Sequence, residues 1–216
     1  ARSSRHHLHA ELDKLFNHLL QVKHLGLAVH QGQEDNAERL LKLALRRIGA
    51  DGVGKIVAYN SLGKLYLESG EYPKAVEALE AALERIDQFR DGADPNELAH
   101  QKRIALTTLA SVYGRSGDRD HAVAIMSRDG GYTLIPELEG DFIAHFVLAG
   151  LLSVMGPARV ESALAQARRA HALSPMGARR NASEALVRQL SKQLAARGQQ
   201  TEAPAPRGTP SGGPAA

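Results

Sequence analysis

The chain contains no cysteine and no tryptophan. Without cysteine there can be no disulfide, no thiolate nucleophile and no cysteine-ligated metal. Aromatic residues are scarce, five Tyr and four Phe among 216 residues, while alanine and leucine recur throughout. That balance favours helices packed through small residues over a β-sandwich core. Long hydrophobic runs are missing as well. The longest, residues 146–155, falls well short of the roughly 20 apolar residues that a membrane-crossing helix needs. No secretory leader pattern is present, and no GxSxG, HExxH or EF-hand spacing occurs. These absences predict a soluble, cytoplasmic protein (or an exported one, if Ala1 follows a cleaved leader) with no catalytic site, cofactor or metal.

Two local motifs need weighing. "GADGVGKI", residues 49–56, fits the phosphate-binding pattern G-x-x-x-x-G-K-[ST] except at its last position, where Ile56 supplies no hydroxyl for magnesium. The pattern also needs a buried strand before it, and "AERLLKLALRRI" places Leu40, Leu41, Ala44, Leu45 and Ile48 at helical spacing instead. The glycine segment therefore reads as a turn between helices, with Lys55 and Ile56 opening the second. Near the start, His6, His9 and Asp13 could share a helix face at a spacing compatible with zinc, but a solvated chain end accounts for them better.

What the chain does contain is a repeat. In "YNSLGKLYLESGEYPKAVEALEAALERI", residues 59–86, Tyr59, Leu62, Gly63 and Tyr66 form one helical face, and Ala75, Leu79, Ala82 and Leu83 form another beyond the turn at Gly70. Gly63, Ala75 and Ala82 are small where two helices must approach. Weaker copies place Leu109, Ala110, Tyr113, Gly117, Ala122 and Met126 in matching slots. A further copy has Leu25, Gly32, Ala37, Leu41 and Ala44, and the last has Leu148, Ala149, Leu152, Gly156, Ala163, Ala167, Ala170 and Pro175. This pattern resembles the tetratricopeptide repeat. The turn glycines Gly32, Gly70, Gly117 and Gly156 are separated by 38, 47 and 39 residues, against a basic period of about 34. The largest surplus, "FRDGADPNELAHQ", is similar to the lengthened linkers of the kinesin-light-chain-like subclass.

The resemblance implies an all-α solenoid of about four helical hairpins over residues 18–175. It is preceded by an extension of the first helix (1–17); that helix should start near Leu8 and turn Leu12, Leu15, Phe16 and Leu19 inward. Residues 176–197 should form a capping helix with a stripe of Leu186, Val187, Leu190 and Leu194. Asn181, with Glu184 three residues on, looks like the N-cap of that helix. Residues 198–216, rich in Pro, Gly and Ala, should be disordered.

The resemblance also implies that the first helix of each hairpin lines a concave, noncatalytic partner-binding groove. Its non-core positions are Asn60, Lys64 and Glu68, then Thr107, Thr108, Ser111 and Arg115, then Phe146 and Val147. These suit a protein or peptide partner, with Lys64 and Arg115 meeting acidic groups. Repeats that grip a C-terminal carboxylate need lysine, asparagine and arginine where this chain has Ser61, Ile104 and Thr108, so chaperone C-termini are not expected. The net charge of +3 conceals a basic end, with eight Lys/Arg and two Glu between positions 157 and 197. That end makes nucleic acid or an anionic surface the second, less favoured partner class. Oligomeric state has no signature.

Overall fold

Small residues at helical spacing allow neighbouring helices to lie close, and helices dominate the described residues. The computed structural model describes residues 31–48, 52–89, 93–128 and 132–201. Eight α-helices occur among them: α1 (Gln31–Arg47), α2 (Val53–Ser69), α3 (Tyr72–Gln88), α4 (Pro95–Ser116), α5 (Arg119–Met126), α6 (Phe142–Val154), α7 (Val160–Leu173) and α8 (Ala178–Thr201). No strand is present among the described residues, only an isolated bridge between Ser127 and Leu134. Helices α2 and α3, α4 and α5, and α6 and α7 form successive hairpins. Helix α1 packs on α2, and α8 packs on α7 at the other end. The result is the all-α repeat solenoid expected from the sequence, closed by a capping helix. The extension with Leu12, Leu15, Phe16 and Leu19, the His6–Asp13 cluster and Leu25 lie outside the described residues.

Each hairpin turns where the repeat pattern places a glycine. Gly70 (φ 80°) and Gly117 (φ 102°) adopt left-handed backbone at the ends of α2 and α4, a conformation glycine reaches without steric cost. After Gly70, the Glu71 N–H donates to the Tyr66 carbonyl at 2.8 Å, closing the helix end. Helix starts are fixed by aspartates. Asp94, Asp118 and Asp141 accept backbone N–H groups of α4, α5 and α6 through their side chains, satisfying donors that the first turn leaves without intrahelical partners.

The hydrophobic core follows the two faces read from the sequence. Leu62, Tyr66, Ala75 and Leu79 form one cluster with Leu109 and Val112 from the next hairpin. Ala122, Met126, Leu148, Leu152, Ala163 and Ala167 form another, and Leu190 of α8 is fully buried in it. Leu186, Val187 and Leu194 pack on its edge, giving the stripe expected of a cap. Each fully buried leucine contributes about 1.5–3 kcal/mol.

Three local readings need correction. Gly32 does not sit in an interhelical turn, because it lies within α1 (Gln31–Arg47). Helix α2 begins at Val53, two residues before Lys55, and Lys55 N–H donates to the Gly52 carbonyl at 2.9 Å. With α1 running up to Arg47, a helix occupies the place where a phosphate-binding loop needs a strand. Asn181 is not the N-cap of α8, since the helix starts at Ala178 and the N–H of Asn181 donates to the Gly177 carbonyl at 3.2 Å. Its neighbour Ser183 is fully buried, with its hydroxyl donating to the Arg180 carbonyl at 2.8 Å.

The helix that follows Gly117 carries Ala122 and Met126 of the repeat pattern but is short. Helix α5 has only eight residues, and the segment after it folds back. Leu134 and Leu138 enter the core in place of a longer helix. His145 of α6 bridges the Glu139 carbonyl (2.8 Å) and the Gln166 side chain (2.6 Å), and Gln166 in turn donates to the Tyr132 carbonyl at 2.6 Å. Arg159 donates to the Tyr132 hydroxyl at 2.8 Å. These bonds fasten the segment to α6 and α7.

Helices α2 and α3 approach closely at Gly63. A Cβ placed on Gly63 would lie 2.4 Å from Leu79 Cγ, whereas one on Gly114 would meet only the terminal Cδ2 of Leu151, at 2.6 Å. A branch carbon of a fully buried leucine cannot swing aside, but a methyl end can. Gly63→Ala should therefore lower stability by about 1–3 kcal/mol despite the better helix propensity of alanine. Gly114→Ala should stay within about 1 kcal/mol of wild type. Urea unfolding of the two variants, compared at equal m-value, checks the contrast.

Candidate functional site

The first helices of the three hairpins turn their non-core residues toward one another. Together they line a cleft of about 760 Å³, within the range of binding pockets. Helix α2 contributes Asn60, Lys64 and Glu68. Helix α4 contributes Thr107, Thr108, Ser111 and Arg115. Helix α6 contributes Phe146 and Val147. The structure thus brings all the groove positions named from the sequence into a single cavity. Ser61, Ile104 and Thr108, which stand where a carboxylate-gripping repeat has polar or cationic groups, line it too.

These residues are not equivalent. Thr107 is buried, and its hydroxyl donates to the Arg103 carbonyl at 2.7 Å, so it satisfies the helix rather than the cavity. Thr108 and Ser111 are half-buried; Arg115 is exposed. Phe146 and Val147, with Ile143, make the α6 wall apolar. Ile143 is 43% exposed, which is unusual for an isoleucine in a folded interior and gives the wall an accessible hydrophobic surface.

Asn60 joins two walls. Only 4% exposed, it donates from Nδ2 to the Gln101 backbone carbonyl (3.1 Å) and to Gln101 Oε1 (2.9 Å). Both acceptors are oxygens, which fixes the orientation of the amide. Gln101 is oriented by its own Nε2, which donates to Glu97 at 2.9 Å. The consequence is that Asn60 Oδ1 is buried with no hydrogen-bond partner. An unmet acceptor of this kind, shut off from solvent, costs about 1–3 kcal/mol.

Lys64 is the half-buried cation of the cavity. Burial holds its ammonium below the ordinary lysine range, and the positive charge of Arg179 lowers it further. Arg179 belongs to α8, so the capping helix reaches back to the second helix of the array. Sequence reasoning missed this residue, along with His100 and Gln101. Repeat positions identify which face of each helix is concave, but they do not say how far the array curls.

Residues 21–88, a span that contains α1, α2 and α3, match the family model of the tetratricopeptide repeat. No curated protein and no solved structure matches the chain. The matched span includes the α2–α3 hairpin, where the repeat pattern is most complete.

Because Asn60 also ties α2 to α4, truncating it should disturb folding as well as the cavity. Asn60→Ala removes both hydrogen bonds to Gln101 while relieving the unpaired Oδ1. A net loss of about 1–2 kcal/mol is expected. A denaturation midpoint equal to that of wild type would show that the α2–α4 tie carries no net stability.

Proposed function

We propose that the protein is a noncatalytic adaptor or assembly factor that holds an extended segment of a partner protein in the cleft between α2, α4 and α6. The observation that carries this reading is the cleft itself. Three consecutive hairpins present polar side chains and an accessible apolar wall to the same space. A repeat solenoid offers such a surface because each hairpin adds one helix to it. An extended peptide matches the cleft chemically, since its backbone carries N–H donors at regular intervals and its side chains alternate in direction. The match of residues 21–88 to the tetratricopeptide repeat supports a protein partner over other classes. The surplus residues in the sequence between the second and third repeats are what suggests the kinesin-light-chain-like arrangement of such repeats.

Filling the cleft tests the role. Ser111→Trp places a large side chain at the centre of the α4 wall, and its fold can be verified by circular dichroism and thermal melting. Proteins captured by the wild-type chain should be lost by at least tenfold on the variant. A photo-reactive residue at Thr108 should cross-link to the same proteins. Undiminished capture by a folded Ser111→Trp variant would place the working surface elsewhere.

A further inference from the structure

Positive charge collects at the corner where α7 turns into α8. Between Glu161 and Glu184 the sequence has four arginines, Arg168, Arg169, Arg179 and Arg180, and no acidic residue. All four are exposed, and none makes an ion pair among the described residues. Glu184, the next carboxylate in sequence, lies 3.8 Å from Arg188 instead. The whole chain carries only +3 in 216 residues, so the charge is a local property of this corner.

The same corner holds apolar side chains out in water. Met176 is 88% exposed, the most exposed large hydrophobic among the described residues, and Leu173 is 42% exposed. A loose turn exposes side chains at random, but this one is pinned. Ser174 is buried, with its hydroxyl donating to the Ala170 carbonyl at 2.6 Å and its N–H to the His171 carbonyl at 3.3 Å. Pro175 restricts the backbone that follows. Gly177 (φ 100°) then leads into α8, where the Arg180 N–H donates to the Gly177 carbonyl at 3.0 Å. The fold therefore presents Met176 beside the cations by construction.

An apolar tip flanked by unpaired arginines is what an anionic bilayer interface satisfies, with methionine at the acyl-chain boundary and guanidinium groups on headgroup phosphates. Nucleic acid would accept the arginines but offers Met176 and Leu173 nothing. Residues 160–201 also contain no Phe, Tyr or Trp on which a base could stack. We infer that the α7–α8 corner docks on an anionic lipid surface, inserting Met176 and Leu173 between headgroups whose phosphates Arg168, Arg169, Arg179 and Arg180 hold. Attachment is peripheral, since no helix among the described residues is long and apolar enough to cross a membrane. It needs nothing of the α2, α4 and α6 walls and holds whatever occupies the cleft.

The absence of cysteine allows a clean test on the full chain, because Met176→Cys and Val154→Cys each carry a single environment-sensitive fluorophore. Val154 is also exposed, at 59%, but the 14-residue α7 separates it from Met176, a length of about 21 Å. With vesicles of equal parts phosphatidylcholine and phosphatidylglycerol, the label at 176 should shift to the blue and the label at 154 should not. Vesicles of phosphatidylcholine alone should leave both unchanged. In co-sedimentation, the double variant Arg168→Gln/Arg169→Gln should weaken binding about tenfold or more. Met176→Ser should weaken it about tenfold, and circular dichroism verifies that both variants are folded. Failure to sediment with the anionic vesicles, or equal binding to the neutral ones, would overturn the proposal. So would sedimentation with no shift at 176 or with equal shifts at both labels, because the chain would then adhere without using the corner. Tighter binding to a random DNA duplex, unaffected by Met176→Ser, would assign the arginines to nucleic acid and overturn the lipid reading.

Discussion

The contact on which the architecture depends is the one where Gly63 of α2 lies under Leu79 of α3. Only hydrogen fits there, since a Cβ would stand 2.4 Å from Leu79 Cγ. This close approach sets the separation of the two helices and buries Leu79 completely. Ala75 and Ala82, both fully buried on the same face of α3, extend the tight seam along the hairpin. A hairpin closed in this way still has an apolar face it cannot bury alone. Leu62 and Tyr66 accordingly share a cluster with Leu109 and Val112 of the next hairpin, and the array propagates.

Propagation has a geometric consequence for the cleft. When second helices pack outside first helices at every step, the first helices converge and their polar faces meet. Asn60 and Gln101 fasten that convergence by a pair of hydrogen bonds between α2 and α4 at the cavity wall. The tie is incomplete, because orienting Nδ2 toward two oxygens leaves Oδ1 unmatched. Polar groups left unpaired in the interior are rare in folded proteins. Here the exception lies behind the surface of a residue that lines the cavity, and it is part of what the α2–α4 tie costs.

Much of this was legible in the sequence, and the reason is periodicity. The core residues of α2 and α3, the turns at Gly70 and Gly117, and the convergence of Asn60, Lys64, Thr108, Ser111 and Phe146 on one cavity all follow from helical spacing repeated through the chain. The features that escaped depend on position without period. Asn181 and Glu184 have the spacing of a capping box, but Gly177 and Ala178 had already begun the helix. A cap motif one turn inside a helix looks identical in sequence to one at its start. The shortness of α5 escaped because Leu134 and Leu138 replace the missing helical turns from a segment with no helical pattern, held by His145 and Gln166. Arg179 escaped for a different reason: its place in the cleft is set by the accumulated curvature of several hairpins, a sum that no local window contains.

That curvature is held where α8 closes the array. Arg179 of α8 lines the same cavity as Asn60 and Lys64 of α2, and Leu190 of α8 is buried with Leu164 and Ala167 of α7. The packing that shields the last hairpin from water is therefore the same packing that puts a residue of α8 on the cavity wall. A substitution that loosens α8 from α7 changes the shape of the cavity without touching the residues of α2, α4 or α6 that line it.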